Sequence, residues 1–409
     1  MANVTEERSD EPKPRSRLRL SVRALMVVVL VLALGLGWVV RGAHVQRDAV
    51  ASIERTGGKV YYDWKRLPNG KWDVKAQPRW PRWLVDRLGV DYFGNVVIVS
   101  LGKQATDAEM AHVGRLSRLE SISVQGSVSD AGAVHLRGLV NLDYVHLSYT
   151  EVTGACLANL RGLTGLKKFY LAGLAITDAD LGQLEGLTGL ELLDLNSTPV
   201  TDEGLAHLEG LVNLKELRLN STMVTGPGLL HLKQMSQLYW LTLSQSRVGD
   251  LSAIPPLPAL RWLILDKTTV GDAELSALSK FTSLGVLGLY GTKVTDAGLS
   301  RIRHLRGSLK IILLGDTKVT DACAPDLLRM ENLVSLNLAR TAVTDATLDQ
   351  LVGLKSLQAL DVSNTAVTPA GLARLKKFLP ALKKLVETAT APRPRSTPAT
   401  PPSGQGTQP

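Results

Sequence analysis

The feature that most constrains the fold of this chain is a repeat of about 24 residues. The unit reads L-x-x-L-x-L-x-x-T-x-V-T-D-x-G-L-x-x-L, and a truncated unit begins at Leu382. A unit of this length cannot bury its own apolar face. Neighbouring units must therefore stack into a solenoid with one continuous core. Twelve full units begin at Val96, Leu119, Leu142, Leu166, Leu190, Leu214, Leu238, Leu260, Leu284, Leu309, Leu333 and Leu357.

Each part of the unit predicts a local structure. The L-x-x-L-x-L stretch is typical of a short strand whose leucines point inward while the x positions face solvent. The V-T-D stretch predicts the start of a helix, with Thr201, Thr295 and Thr344 as N-caps. The predicted fold class is therefore α/β, a curved solenoid with parallel strands on the concave side and helices on the convex side.

A threonine follows most of the strands at a tight turn. We expect its hydroxyl to bond backbone groups of its own coil and of the next coil, forming a ladder along the solenoid. The threonines at this position are Thr150, Thr198, Thr222, Thr268, Thr292, Thr317, Thr341 and Thr365.

One unit departs from the pattern. The unit that begins at Leu238 is two residues shorter than most, and it contains Pro255, Pro256 and Pro258. Proline lacks the backbone N–H and clashes with the preceding turn, so a regular helix is excluded there and an extended or 3₁₀ segment is expected.

An uncharged run from Ala24 to Val40 precedes the repeats. As a helix it would span about 25 Å, so it is predicted to be a transmembrane helix flanked by arginines that snorkel to the headgroups. A cleaved signal peptide is the alternative, but the run exceeds the usual apolar length and no small-x-small site follows it. Residues 1–23 are predicted to be a disordered basic tail, and the basic residues on this side favour a cytoplasmic N-terminus with the repeats outside the membrane.

Two further regions lie outside the repeats. Residues 41–95 are predicted to hold a helix near Val45–Arg55, a turn at Gly57, and a strand at Val60–Trp64. This region is interpreted as a cap that covers the open edge of the first repeat, with a separate ligand site there as the alternative. Residues 386–409 are rich in Pro and Thr and are predicted to be disordered.

The T-D-x-G-L-x-x-L form at Thr201–Leu208 and Thr295–Ile302 resembles the ribonuclease-inhibitor-like superfamily of leucine-rich repeats. The whole layout, over roughly residues 15–385, is similar to a group of planctomycete membrane proteins. The shared features are the basic tail before a short apolar anchor, the G-G-x-V-Y-Y-D segment at Gly57–Asp63 and the L-G-x-D-Y-F stretch at Leu88–Phe93. This resemblance implies a membrane-anchored repeat domain and no particular activity.

The distribution of charge argues against nucleic-acid binding. Residues 41–95 carry 11 Lys/Arg against 6 Asp/Glu, whereas residues 96–386 carry 28 against 27. A nucleic-acid-binding surface usually carries a basic stripe, and the near-neutral repeats lack the excess to form one. Attraction to anionic lipid headgroups explains the basic excess next to the membrane segment better.

The sequence contains none of the common catalytic or cofactor-binding motifs. A nucleophile elbow, a P-loop, an H-E-x-x-H pair and a C-x-x-C pair are all missing, so neither an enzyme nor a small-molecule cofactor is predicted. Cys156 and Cys323 occupy equivalent positions seven repeats apart, too far for a disulfide. His207 and His231 share a helix position in adjacent repeats, but two imidazoles without a carboxylate or thiolate partner make a poor metal site.

The solvent-facing strand positions are the predicted binding site for a protein or peptide. Contiguous exposed apolar surface usually marks an interaction site, and Trp and Tyr are enriched at interface hot spots. The alternative is that these side chains pack only on one another. The candidate residues are Trp240, Trp262, Ile264, Val286, Tyr290 and Ile311, together with Tyr144, His146 and Tyr170 near the start of the solenoid.

The predicted function is therefore a non-enzymatic binding protein displayed outside the cytoplasmic membrane. Two alternatives stay open: an architectural protein of the envelope without a specific ligand, and a hydrolase within residues 43–95. For the hydrolase, the sequence identifies no nucleophile with a general base to activate it.

Overall fold

The computed structural model describes residues 22–66, 73 and 76–386. The predicted disordered tails, residues 1–23 and 386–409, lie outside the described residues except for Val22, Arg23 and Val386, which belong to a helix and a strand. In the described residues, the strands are β1 (Lys59–Tyr62), β2 (Val96–Ser100), β3 (Ala105–Thr106), β4 (Ser121–Ser123), β5 (Gly126–Ser127), β6 (Tyr144–His146), β7 (Lys168–Tyr170), β8 (Leu192–Asp194), β9 (Glu216–Arg218), β10 (Trp240–Thr242), β11 (Trp262–Ile264), β12 (Val286–Gly288), β13 (Ile311–Leu313), β14 (Ser335–Asn337), β15 (Ala359–Asp361) and β16 (Lys384–Val386).

Short helices connect these strands on the opposite side of the core. The α-helices are α1 (Val22–Arg55), α2 (Arg82–Leu88), α3 (Asp107–Val113), α4 (Asp130–Ala133), α5 (Leu157–Leu160), α6 (Asp178–Leu181), α7 (Asp202–Ala206), α8 (Asp296–Arg301), α9 (Ala324–Leu328), α10 (Asp345–Leu351) and α11 (Pro369–Phe378). The 3₁₀ helices are Asp63–Lys65, Val90–Tyr92, Val134–Leu136, Gly154–Cys156, Gly182–Leu184, Pro227–Gln234, Glu274–Lys280, Arg303–Gly307 and Asp321–Cys323.

The sheet confirms the predicted solenoid. From β2 onward its strands pair in parallel and in chain order, through β4 and β6 to β16, with equivalent positions of successive units side by side. The inward leucines of the strands and those of the helices form one continuous buried core. Parallel strands joined by right-handed connections leave the helices on one side only, which exposes the opposite face of the sheet.

The N-terminal helix is longer than the sequence predicted. The apolar run and the helix expected near Val45–Arg55 form one uninterrupted helix, α1. Its first half is exposed, but Ala43 in its second half is buried, and Ala49 and Ile53 belong to the continuous core of the repeats. The part of α1 after the apolar run therefore belongs to the solenoid core.

Strand β1 covers the open edge of the sheet. It pairs antiparallel with β2, with Lys59 opposite Ser100 and Tyr61 opposite Ile98. Gly57, with a φ of 76°, makes the turn that reverses the chain from α1 into this strand. The first repeat strand is therefore paired on both sides, and the edge of the sheet is a four-residue strand, β1.

The turn threonines do not form the predicted ladder between coils. Each hydroxyl donates to the backbone carbonyl three residues earlier in its own coil, as Thr292 Oγ1 does to Leu289 at 2.6 Å and Thr198 Oγ1 to Leu195 at 2.7 Å. The preceding residue has positive φ at most of these turns, for example 56° at Lys267. That conformation folds the hydroxyl back onto its own strand end and away from the next coil.

A ladder between coils does exist, and the helix N-caps form it. Thr201 N and Oγ1 donate to the two carboxylate oxygens of Asp178, at 2.8 and 2.7 Å, across one repeat. The same pair of bonds joins Thr344 to Asp321. Thr201, Thr295 and Thr344 cap their helices as predicted. The aspartate of V-T-D thus links repeats in addition to favouring the positive end of its own helix.

The ladder is interrupted at the proline-containing unit. Gly226 replaces the aspartate and Gly249 replaces the threonine at the positions that would be linked. Residues 251–260 contain no helix, in agreement with the sequence prediction. The convex side is therefore tied less strongly here than in the units on either side.

Candidate functional site

The concave face of the sheet carries two stacked tryptophans at its centre. Trp240 and Trp262 begin neighbouring strands in register, and both occupy the third position of their units. Their ring centroids lie 4.4 Å apart with 6° between the ring planes. Side chains at this position leave the sheet on the same side, and the strand spacing of about 4.8 Å brings the rings face to face. Both rings are half-buried, so the pair is partly packed on itself and partly available.

Two polar atoms beside this pair lack a partner among the described residues. The Trp240 indole Nε1 and the Thr242 hydroxyl Oγ1 are both buried and make no hydrogen bond. Thr242 is only 7% exposed, and it lies two residues after Trp240 on the same strand and the same face. Buried donors and hydroxyls are almost always paired in proteins, so two orphans on one strand are unusual.

The apolar surface continues from the tryptophans toward the C-terminus. Ile264 leans over Gly288, where an added Cβ would come within 2.9 Å of the isoleucine Cγ2 atom. In the same way the Tyr290 ring lies across Gly315, whose Cβ would come within 2.8 Å of it. The two glycines therefore let larger side chains lie flat on the concave face and fill its depressions.

Val286 and Ile311 were predicted to extend the exposed apolar surface. The structure places Val286 beside Trp262 on β12, but it is only 6% exposed. Ile311 is half-buried on the next strand, β13. Val286 therefore lies beneath the exposed surface, next to Trp262. Ile311 contributes only part of its side chain to that surface.

A buried ion-pair cluster lies on the N-terminal side of the tryptophans. Arg218 bonds Glu216 at 2.6 Å and Asp194 at 3.2 Å. Both carboxylates are buried although they occupy strand positions that face away from the core, and Arg218 pairs with each of them. Burial opposes the charge on Arg218, but its attraction to the two carboxylates dominates and raises the pKa of the guanidinium.

An aromatic group forms the N-terminal end of the face. Tyr170 contacts Tyr144 with ring centroids 5.3 Å apart and His146 with centroids 5.2 Å apart. The guanidinium carbon of Arg218 lies 5.7 Å from the Tyr170 ring. Burial lowers the pKa of His146 and raises the pKa values of both tyrosines, so all three rings are neutral near pH 7.

The predicted site residues thus lie in two groups. Trp240, Trp262 and Ile264 belong to a C-terminal apolar group, and Tyr144 and Tyr170 belong to an N-terminal aromatic group. The strands of the ion-pair cluster separate them by about 14 Å. Sequence reasoning missed Thr242, although its position two residues after a surface tryptophan was the available signal.

The sequence indicated no carboxylate partner for the two histidines of the convex side, but the structure places a glutamate beside each. His207 Nδ1 lies 2.9 Å from Glu185 Oε1, and His231 Nδ1 lies 2.6 Å from Glu209 Oε1. Each pair joins adjacent repeats on the exposed surface. Within residues 22–66, 73 and 76–386, no three His, Cys, Asp or Glu side chains are grouped as a metal site would require.

Neither cysteine is placed for nucleophilic chemistry. Both thiols are buried and unpaired, and burial raises the pKa of Cys156 and of Cys323 to about 12. The thiolate is the reactive form, so these thiols are inert at neutral pH.

Comparison with solved structures agrees with this architecture. An internalin (inlF) from Listeria monocytogenes superposes with a TM-score of 0.55 at 21% identity, covering 73% of this chain and 87% of the internalin. The chain has a leucine-rich-repeat fold. At this identity the similarity shows the fold alone.

Two further similarities are weaker. A second Listeria monocytogenes internalin gives a TM-score of 0.42 at 25% identity, covering 57% of this chain and 92% of the internalin. The plant peptide hormone receptor RGFR1, in complex with RGF2, gives 0.43 at 16% identity, covering 70% of this chain and 52% of the receptor. No protein-family model and no curated protein matches the sequence.

Helix α1 is the one helix within the described residues that is long and apolar enough to cross a membrane. By length and composition alone, a signal sequence near the N-terminus would meet the same criterion.

Proposed function

We propose that this protein is a single-pass membrane protein whose leucine-rich-repeat solenoid binds a protein or peptide outside the cytoplasmic membrane and catalyses no reaction. In this proposal residues 1–23 are a cytoplasmic tail, 24–40 span the membrane, 41–95 form the cap, 96–385 form the repeat domain and 386–409 form a terminal tail. The arrangement follows the planctomycete-type resemblance of the sequence.

The observation that carries the binding proposal is the pair of orphan polar atoms beside the stacked tryptophans. Burying an unpaired donor or hydroxyl costs about 1–3 kcal/mol. A peptide on this face would pack an apolar side chain on the half-exposed rings. Because Trp240 Nε1 and Thr242 Oγ1 are buried, a change of side-chain rotamer on binding would bring them to a peptide carbonyl and a polar group of the ligand. Such a ligand recovers the cost of the orphan atoms and removes apolar surface from water.

Two features of the described residues are in keeping with a non-enzymatic role. The buried thiols are protonated, and the concave-face carboxylates Asp194 and Glu216 pair with Arg218. An acyl- or phosphoryl-transfer site needs a nucleophile within hydrogen-bond reach of a base.

The continuity of α1 supports an anchor over a cleaved signal. A signal peptidase requires an accessible small-x-small site soon after the apolar run. In this chain the residues after Val40 are helical, Ala43 is buried, and Ala49 and Ile53 belong to the core of the solenoid. The arginines that precede the run favour a cytoplasmic N-terminus.

The binding proposal is tested with alanine variants of both tryptophans in the full chain. Partners are captured by crosslinking with the detergent-solubilised protein, and the affinity for each captured partner is then measured for the parent and for the variants. Loss of either Trp should cost about 2 kcal/mol, or roughly a 30-fold weaker Kd. Tyr239→Ala is the matched control, because Tyr239 is a partly exposed aromatic residue directly before Trp240 and outside the concave position.

Two results would contradict the proposal. If the double variant stays folded and binds the partner as tightly as the parent, the site lies elsewhere. If it melts well below the Tyr239→Ala variant, the tryptophans serve the core. Binding is also measured with the chain ended at Val386, because some two dozen extended residues reach up to roughly 80 Å and could occupy the face themselves.

A further inference from the structure

We propose that the segment Arg79–Leu88, which contains α2, is a second membrane contact that lies in the headgroup region beside the end of the transmembrane helix. We refer to this segment as the foot. The inference rests on the proposed membrane anchoring by α1. It adds a second contact that determines the orientation of the solenoid relative to the membrane.

The foot exposes large apolar side chains that nothing in the described structure covers. Trp83 is 69% exposed, Trp80 is 55% exposed and Leu88 is also exposed. Trp38, near the end of the apolar run, is 76% exposed. The other described tryptophans are at least half-buried. Exposed tryptophan is therefore concentrated at this end of the molecule, where the chain would leave the membrane.

Contacts to α1 hold the foot at the level of the membrane boundary. Arg47 donates to the Leu88 carbonyl at 2.7 Å, and Gln46 donates to Asp91 just beyond the foot at 3.1 Å. These α1 residues lie six or seven positions after Val40, about 10 Å along the helix axis. The headgroup region adds about 5–8 Å on each side of the hydrocarbon core, so these contacts lie at its outer boundary and the foot extends from there into it.

The foot reaches back from these contacts toward the apolar run. Trp80 stacks in a tilted arrangement on Phe93, with ring centroids 5.4 Å apart. Together with Trp38 and Arg41 it lines an open cavity of about 900 Å³, to which Arg115 and Arg118 of the first repeat also contribute. Tryptophan rings and basic residues at the same level of one surface are the combination that lipid headgroups attract.

The charge of the foot identifies the occupant as an anionic lipid surface. Arg79, Arg82 and Arg87 are exposed, and Asp86 is the only acidic residue of the segment. The pair of Arg82 with Asp86 is long, at 3.9 Å, and fully open to water. Arginine heads at headgroup depth attract anionic lipids, while the indole rings insert between the headgroups.

A nitroxide label tests the depth of the foot directly. Trp83→Cys and, as control, Phe378→Cys are made in the full chain; Phe378 is a similarly exposed aromatic residue at the opposite end of the solenoid. The two natural cysteines are buried and stay unlabelled. The proteins are placed in vesicles of phosphatidylcholine with 30% phosphatidylglycerol, and collision of the label with O₂ and with a water-soluble nickel chelate is measured.

We expect the O₂-to-nickel accessibility ratio at position 83 to exceed that at position 378 at least three-fold. Replacing Arg82 and Arg87 by Gln should reduce this difference in the anionic vesicles. Equal ratios in a protein that floats with the vesicles overturn the foot while leaving the anchor intact. Low accessibility to both reagents means that protein covers the foot, which also overturns the inference. Failure to float overturns the anchor and the foot together.

Discussion

Asp321 links two repeats through three hydrogen bonds, and its removal offers a direct test of the ladder between coils. Its carboxylate accepts from Thr344 N at 2.8 Å, from Thr344 Oγ1 at 2.7 Å and from the hydroxyl of Thr347. Thr347 is completely buried, so in Asp321→Ala its hydroxyl is left without a partner and without water. That loss costs about 1–3 kcal/mol, and the two Thr344 groups add about 0.5–1.5 kcal/mol each.

We therefore expect Asp321→Ala to lower the free energy of unfolding by about 3 kcal/mol. The measurement is urea unfolding of the full chain in detergent, compared at constant m-value. Asp349→Ala is the matched control, because Asp349 is an exposed aspartate that pairs only with Arg374 across one repeat, at 3.2 Å. An exposed pair of this kind contributes under about 1 kcal/mol. Equal shifts of the urea midpoint for the two variants would refute the ladder.

Three further predictions concern the turns, pH and topology. Thr292→Val removes the hydroxyl bond to Leu289 but leaves that carbonyl its backbone N–H partner, so we expect a loss of about 1 kcal/mol, against under roughly 0.5 kcal/mol for surface Lys293→Ala in the same thermal melts. Burial opposes the charge on Asp321, but hydrogen bonds from two threonines dominate and lower its pKa below 3.8; a threonine hydrogen bond likewise lowers the pKa of Asp345. Their stabilisation is complete above the unfolded pKa near 4 and is lost as the pH falls through the folded pKa; a urea midpoint unchanged between pH 6 and pH 3 would contradict this. Protease added to intact spheroplasts should digest the chain after residue 386 and spare the first twenty residues, and the reverse pattern would invert the proposed topology.

The sequence predicted the solenoid well because its pattern is local and repeated. The spacing of the leucines defines which side of each strand is buried, and Thr201, Thr295 and Thr344 mark helix starts by chemistry that acts within one turn. The side-by-side placement of Trp240 and Trp262 follows from the same spacing, since both hold the third position of their units. These are properties that a short stretch of sequence determines.

The sequence predicted hydrogen-bond partners less well where a side chain can bond either its own coil or the next one. The Thr292 hydroxyl could do either, and it bonds its own coil because Gly291 before it has a left-handed conformation. Asp178 suits its own helix end, yet it also accepts from the next repeat. Asp194 is buried and pairs with Arg218 of the next repeat, a contact that neither repeat shows in isolation. Likewise, the sequence around Gly42 does not indicate that the helix continues beyond the apolar run, because packing on the first repeat stabilises its second half.

In the proposed membrane-anchored arrangement, the continuity of α1 determines how a ligand would meet this protein. A flexible linker after the membrane segment would let the solenoid sample many orientations, and a partner would have to select among them. With one rigid helix entering the core, that orientational entropy is lost once, during folding, and not again at each encounter. The stacked tryptophans lie six strand steps beyond the first repeat, about 30 Å along the stack. A partner held in the same membrane with matching reach would therefore meet them at a high effective concentration, whereas one of the wrong length would not engage at all.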